Sequence, residues 1–174
     1  MAVRMSEAEY RHAIQGKRNR NAGKCFEEII AAACLMYKGR GIAYVQKTPE
    51  PMTPLRSIGQ GRFIACFEKK AQPDYKGTLR GGRSVVFEAK HTDSDRLQQG
   101  AVTEWQAEQL EEYEGLGAIC FVLVSFGFEK FYKIPWDVFK TMKERYGRKY
   151  IKPEDVEIYR IQNKGGFLLF LEEE

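Results

Sequence analysis

The feature that most constrains this chain is the run LGAICFVLVSF, Leu116 to Phe126, eleven residues without a charge. A membrane span needs roughly 20 apolar residues, so this run is too short to cross a bilayer. An apolar run of this kind is expected of a central strand covered on both faces, so layers of chain must lie on either side of it. The rest of the sequence supplies them. Phe26, Ile29, Ile30, Ala33 and Tyr37 recur at helical spacing from Asn21 until Gly39 and Gly41 end the pattern. A second helix is expected over about Thr103–Glu114, and a third from Pro135 to about Tyr146. Strands are expected at Ile42–Lys47, Asp74–Leu79, Arg83–Lys90, Ala118–Phe126 and Phe128–Ile134, with a tight turn at Gly81–Gly82. A last hairpin is expected from Val156–Ile161 and Phe167–Leu171. The fold class is therefore α/β: a mixed central β-sheet flanked by helices.

Residues 48–72 interrupt this pattern. Three prolines precede Leu55, then come Gly59, Gly61 and the alternating RFIACFEKK, which together predict a protruding β-hairpin over about 49–72. Residues 1–20 read as a basic arm with a short helix over Ser6–Gln15, and 21–174 as one domain. The N-terminus lacks the apolar stretch of a secretory signal, and Cys25, Cys34, Cys66 and Cys120 form no CxxC pair. Reduced thiols in a cytoplasmic, unexported protein without membrane association are the expectation.

Charge is unevenly placed. Residues 1–24 carry six Lys/Arg against two acids and residues 38–83 ten against three, whereas residues 84–174 carry twelve against seventeen acids. A basic N-terminal half on an otherwise acidic domain suits a polyanion such as nucleic acid, although a lysine-rich solvated surface reads the same way.

The chemistry lies in three places. Pro73–Asp74 precedes Glu88–Ala89–Lys90 by fourteen residues. Side chains alternate along a strand, so Glu88 and Lys90 share a face, and a hairpin can bring Asp74 beside Glu88. Two carboxylates and an ammonium are what phosphodiester hydrolysis needs: oxygen ligands for Mg²⁺ or Mn²⁺, and a cation for the water or the transition state. The pattern is the PD-(D/E)xK nuclease signature, though short matches also arise in ordinary strands. Glu27 lies about 110° from the centre of the first helix's apolar stripe, at its margin. There it can reach a cleft, or be a surface acid favoured by the helix dipole. Gln106 shares a face with Leu110 and Tyr113, so its amide points inward and needs partners.

These residues carry a resemblance. NAGKCFEEIIAAACLMY resembles the opening helix of the RecU family of Holliday junction resolvases. VQKTPEPMTP, PDYKGTLRGGRSVVFEAK, the Trp105–Gln106 pair and ICFVLVSFGFEKFYKIP are similar to the family's later segments, in order, from about Asn21 to Pro135. The resemblance implies a restriction-endonuclease-like fold with a protruding β-stalk. It implies Mg²⁺ (with Mn²⁺ able to substitute) bound by Asp74 and Glu88, with the Ala89 carbonyl as a ligand. Lys90 would be the catalytic lysine, Glu27 an additional acid and Gln106 an active-site polar group. It further implies a homodimer that cuts branched DNA at a four-way junction, alongside recombination proteins. Lys47, Arg56, Arg62, Lys69, Lys70 and Lys76 are the expected DNA contacts.

There are departures from the family pattern. Gln72 and Pro73 stand where a Ser/Thr usually lies two residues before the aspartate, Trp105 replaces a histidine, and the stalk is short, as in a compact or phage-encoded member. A PD-(D/E)xK nuclease of ordinary duplex DNA, or a non-catalytic DNA-binding protein of this fold, remains the alternative.

Overall fold

The computed structural model describes residues 7–67 and 72–171. The first element, α1, runs unbroken from Glu7 to Gly39. The helix therefore takes in the described part of the short helix expected over Ser6–Gln15 and continues without a break across residue 20. The physical reason is plain in the sequence: this stretch contains no proline and is rich in Glu, Ala, Arg and Lys, all good helix formers. Its apolar residues are few, so the sequence indicated only a short helix there. The buried stripe of α1 includes Phe26, Ile30, Ala33, Cys34 and Tyr37. Gly41 then takes a left-handed φ of 63°, and the Ile42 N–H closes back on the Tyr37 carbonyl at 2.9 Å, ending the helix.

Strands β1 (Ala43–Lys47), β4 (Tyr75–Leu79), β5 (Ser84–Thr92), β7 (Ile119–Phe126) and β8 (Lys130–Pro135) form one sheet in the order β1-β4-β5-β7-β8. Only the β5–β7 pair is parallel. It is joined through the short strand β6 (Leu97–Gln98) and α2 (Glu104–Gly115), since parallel neighbours need a crossover. The apolar run is thus the strand beside β5, and alternation divides its side chains between two cores. Phe121 and Leu123 join Val85, Phe87 and Tyr75 under α1, whereas Val122 and Val124 join Val86 and Leu110 under α2. Both faces are covered, as the sequence required.

The remaining elements differ from expectation in detail. The third helix is two short ones, α3 (Trp136–Lys140) and α4 (Met142–Tyr146), interrupted at Thr141, whose hydroxyl donates to the Asp137 carbonyl. Val156 lies in a 3₁₀ segment, Pro153–Tyr159, not in a strand. Pro153 fits a helical first turn, and the Asp155 carboxylate accepts from the Lys152 N–H at 2.7 Å, so this stretch coils rather than extends. The last ribbon is small, Asn163–Lys164 with Phe167–Leu168. Tyr37 holds it to α1: its hydroxyl donates to the Leu168 carbonyl and accepts from the Leu171 N–H, both at 3.0 Å.

Between β1 and β4 stands the expected hairpin, β2 (Met52–Gly59) and β3 (Arg62–Phe67). Both strands are exposed along their whole length and pair with each other in a separate two-stranded sheet. The register sets Met52 opposite Phe67, Pro54 opposite Ala65 and Ser57 opposite Phe63 on one face, with Arg56, Ile64 and Arg62 on the other.

One glycine is indispensable to the sheet. A Cβ at Gly77 would collide with the Tyr44 carbonyl oxygen and sit 2.6 Å from Val45 Cα, both backbone atoms of the paired strand. Gly77→Ala should therefore destabilise the fold by about 1–3 kcal/mol, as overpacking does. A thermal melt checks this, and an unchanged midpoint would contradict the tight β1–β4 approach.

Candidate active site

The site forms where β4 begins and β5 passes its middle. Tyr75 is the register partner of Phe87, so Asp74, one residue earlier, stands beside Glu88. The Asp74 N–H donates to Glu88 Oε1 at 3.2 Å, and the Ala89 N–H donates to Asp74 Oδ2 at 3.0 Å. These reciprocal bonds fix both carboxylates against the strand ends. Lys90, two residues beyond Glu88 and on the same face, places its ammonium 2.9 Å from Glu88 Oε2 and 3.9 Å from Asp74 Oδ2. Gln106, from the first turn of α2, donates through Nε2 to the same Glu88 Oε2 at 2.6 Å. Four of the residues expected from the sequence are thus gathered at one point: Asp74, Glu88, Lys90 and Gln106.

Glu88 is 0% exposed. Burial pushes its carboxyl up from the ordinary 4.5 to about 8; the charge of Asp74 adds to the rise and the Lys90 ammonium opposes it. The donor set fits a hard divalent cation. It consists of oxygens, and the two influences that raise Glu88, burial and a neighbouring negative charge, are those a bound cation would offset.

A stability prediction follows from the direction of this shift. The folded chain holds a proton on Glu88 between about pH 5 and pH 8 that the unfolded chain releases, so this contribution is complete at low pH and is lost as pH rises through about 8. In EDTA, the melting temperature of the parent chain should fall relative to that of Glu88→Gln as pH rises from about 5 to 8. Parallel curves would contradict the assignment.

The other expected residues are placed differently. Glu27 lies on α1, which covers the opposite face of the sheet from α2. It shares with Asp74 a cavity of about 160 Å³ at the base of the hairpin, also lined by Thr48, Phe67 and Gln72. Its carboxylate is paired with Lys47 at 2.6 Å, and among the described residues no three His, Cys, Asp or Glu side chains cluster as a metal site would. Glu27 therefore shares the cavity with Asp74 while engaged with Lys47. Lys47 is bound to that glutamate, and Lys76 donates to Gln72 Oε1 and to the Tyr113 hydroxyl, each at 2.8 Å. Both lysines thus have protein partners. Arg56 and Arg62 stand on the exposed hairpin, and Arg62 also donates to Gln60 Oε1 at 3.2 Å. Lys69 and Lys70 lie outside the described residues.

Thr103 was missed by the sequence reading. It caps α2, and its backbone N–H and hydroxyl both reach Gln106 Oε1. The signal was there, since Thr103-Glu-Trp-Gln106 has the T-x-x-Q spacing of a capping box.

A mixed, helix-flanked sheet that sets an aspartate at one strand's entry against Glu-x-Lys on the next is the arrangement expected of the PD-(D/E)xK class. Within that class, the Recombination protein U (RecU) profile matches residues 21–172, and the chain belongs to the RecU family. It is 32% identical to the Holliday junction resolvase RecU of Bacillus pumilus, across 78% of this chain and 70% of that one. Identity to the Streptococcus gordonii protein of the same name is 31%, across 84% and 68%. Against the Pediococcus pentosaceus protein of that name it is 32%, across 65% of this chain, and the match spans 57% of the relative's length. A slighter likeness is to the solved structure of Hjc, a Holliday junction resolvase from Archaeoglobus fulgidus, with TM-score 0.49 and 17% identity over 78% of this chain and 93% of that one. Among the described residues no helix is long and apolar enough to cross a membrane.

Proposed function

We propose that this chain is a divalent-metal-dependent endonuclease that resolves four-way DNA junctions as a symmetric homodimer. The observation that carries the reading is the complete set of Asp74, Glu88 and Lys90 within 4 Å of one another, with Gln106 bonded to the buried glutamate. Membership of the RecU family supports it.

Asp74 and Glu88 would hold Mg²⁺, or Mn²⁺ in its place, with the Ala89 carbonyl alongside and Glu27 in the cavity it shares with Asp74. Held there, such a cation would lower the pKa of a water and offset charge on the scissile phosphate. Lys90 is the one side chain of the set that carries a positive charge, and it lies beside both carboxylates. As an ammonium it would orient the attacking water and stabilise the charge that develops on the phosphorane oxygens. Gln106 keeps Glu88 in place while that charge moves. Arg56 and Arg62, on one face of the hairpin, contact phosphates at the junction centre, and Lys47 and Lys76 contribute from the site's margin. Recognition is by shape and phosphate position, with any sequence preference arising from deformability at the crossover. Clean resolution requires nicks in two opposed strands, which a two-fold dimer presents symmetrically. Residues 21–174 form one nuclease domain, acting in the cytoplasm with other recombination proteins.

Two measurements test this together. Sedimentation should give twice the 20.1 kDa chain mass. Junction cleavage should vanish in EDTA and return with Mg²⁺ or Mn²⁺. A monomer, or cutting that persists in EDTA, would contradict the proposal.

A further inference from the structure

Gln106 meets two partners with one amide group, and only one orientation satisfies both. Its Oε1 accepts from the Thr103 backbone N–H at 3.1 Å and lies 3.2 Å from Thr103 Oγ1, while its Nε2 reaches Glu88 Oε2 at 2.6 Å. A backbone N–H can only donate. The end of the amide facing Thr103 must therefore be the oxygen, and the end facing Glu88 the NH₂. The Thr103 hydroxyl completes the box by accepting from the Gln106 N–H at 3.3 Å. Glu88 Oε2 thus receives two fixed donors, Gln106 and Lys90, and Oε1 is left beside the Asp74 N–H.

We infer that Thr103 is a positioning residue for the site. By capping α2 through Gln106 it locks that amide as a donor, and so fixes which oxygen of the buried Glu88 is held by the protein and which is turned toward Asp74. This rests on the nuclease reading and deepens it. A helix cap and a metal-ligand clamp are here the same set of hydrogen bonds. Loosening the cap frees the amide to rotate, and a rotated Gln106 sets its oxygen against the Glu88 carboxylate. Outer partners of this kind change metal affinity by roughly 10–100-fold when lost.

The test exploits the backbone at position 103, which has φ −70° and ψ 159°. Proline fits that φ, and Val102 before it is extended at φ −95° and ψ 121°, as a residue preceding proline must be. Thr103→Pro removes the N–H and the hydroxyl together, whereas Thr103→Ser keeps both. Leu110→Ala, in the buried face of α2, serves as the control that loosens the helix without touching the amide. Two properties are read in each variant: the Gln106 side-chain amide resonances by NMR, and Mn²⁺ affinity by calorimetry.

Thr103→Pro should lose the shifted, slowly exchanging Gln106 amide pair and bind Mn²⁺ about tenfold more weakly. Thr103→Ser should stay within about twofold of the parent in affinity, and Leu110→Ala should keep the amide signature. If Thr103→Pro fails to fold, Thr103→Val, which keeps the N–H but not the hydroxyl, should show a smaller loss in the same direction. A Thr103→Pro chain with the parent's amide signature and affinity would overturn the inference. So would a Leu110→Ala chain with the same losses, because helix stability alone would then explain them. If the parent chain binds no Mn²⁺ at all, the nuclease reading fails, and the NMR comparison still decides the amide lock.

Discussion

Asp74→Asn and Glu88→Gln should each lower junction cleavage on the order of 10³-fold or more, with junction binding in a gel shift unchanged. Both substitutions remove a carboxyl that can ionise to hold a cation while preserving shape. Asp74→Asn can keep the bond from the Ala89 N–H, and Glu88→Gln can keep a carbonyl oxygen for the Gln106 amide. Neither should disturb the fold. Indeed, replacing a carboxyl that burial holds near 8 removes a group that is costly to ionise, so Glu88→Gln should melt no lower than the parent at neutral pH. A loss of cleavage accompanied by equal loss of binding would point to misfolding. Normal cleavage by either variant would show the site to be elsewhere.

Replacing the hairpin, residues 52–67, with a short Gly/Ser turn should leave the melting temperature within a few degrees of the parent but weaken junction binding at least about tenfold. The two strands pair with each other and lie exposed throughout, so their removal takes little from either core. What it removes is Arg56 and Arg62 on one face, and Met52, Phe63 and Phe67 on the other. A protein left with a long, apolar, exposed hairpin has reason to cover it, because such an edge invites association. Arg56→Ala with Arg62→Ala, leaving the strands intact, should reduce the salt dependence of binding by about 2 in log–log slope, close to 0.9 per phosphate. An unaltered slope would mean that the hairpin does not touch the DNA backbone.

Much of this molecule was legible because its periodicities are local. The Leu116–Phe126 run required covering on both faces, and the two cores divide as alternation demands. The Asp74…Glu88-x-Lys90 spacing placed three side chains on paired strands whose register could be inferred from one turn at Gly81–Gly82. What escaped has physical causes. A short helix was expected over Ser6–Gln15, but its continuity with the helix from Asn21 was not, because few apolar residues link the two stretches. The break at Thr141 comes from one hydroxyl reaching back to the Asp137 carbonyl, which no periodicity reports. Lys47 and Lys76 read as DNA contacts; that they also meet Glu27 and Tyr113 was not legible, because these partners lie far off in sequence and reach them only after the sheet has formed. Glu27 was legible as a residue at the edge of a stripe. That it shares a cavity with Asp74, engaged with a lysine, needed the three-dimensional arrangement.

The most direct test is cleavage of a labelled, immobile four-way junction in Mg²⁺, set against linear duplex of the same sequence, with Asp74→Asn as control. The account predicts paired, symmetric nicks in opposed strands of the junction, no comparable cutting of the duplex, and none by the control. Equal cutting of duplex and junction would contradict junction selectivity and leave a general nuclease. Tight junction binding with no cutting in either Mg²⁺ or Mn²⁺ would contradict the catalytic assignment itself.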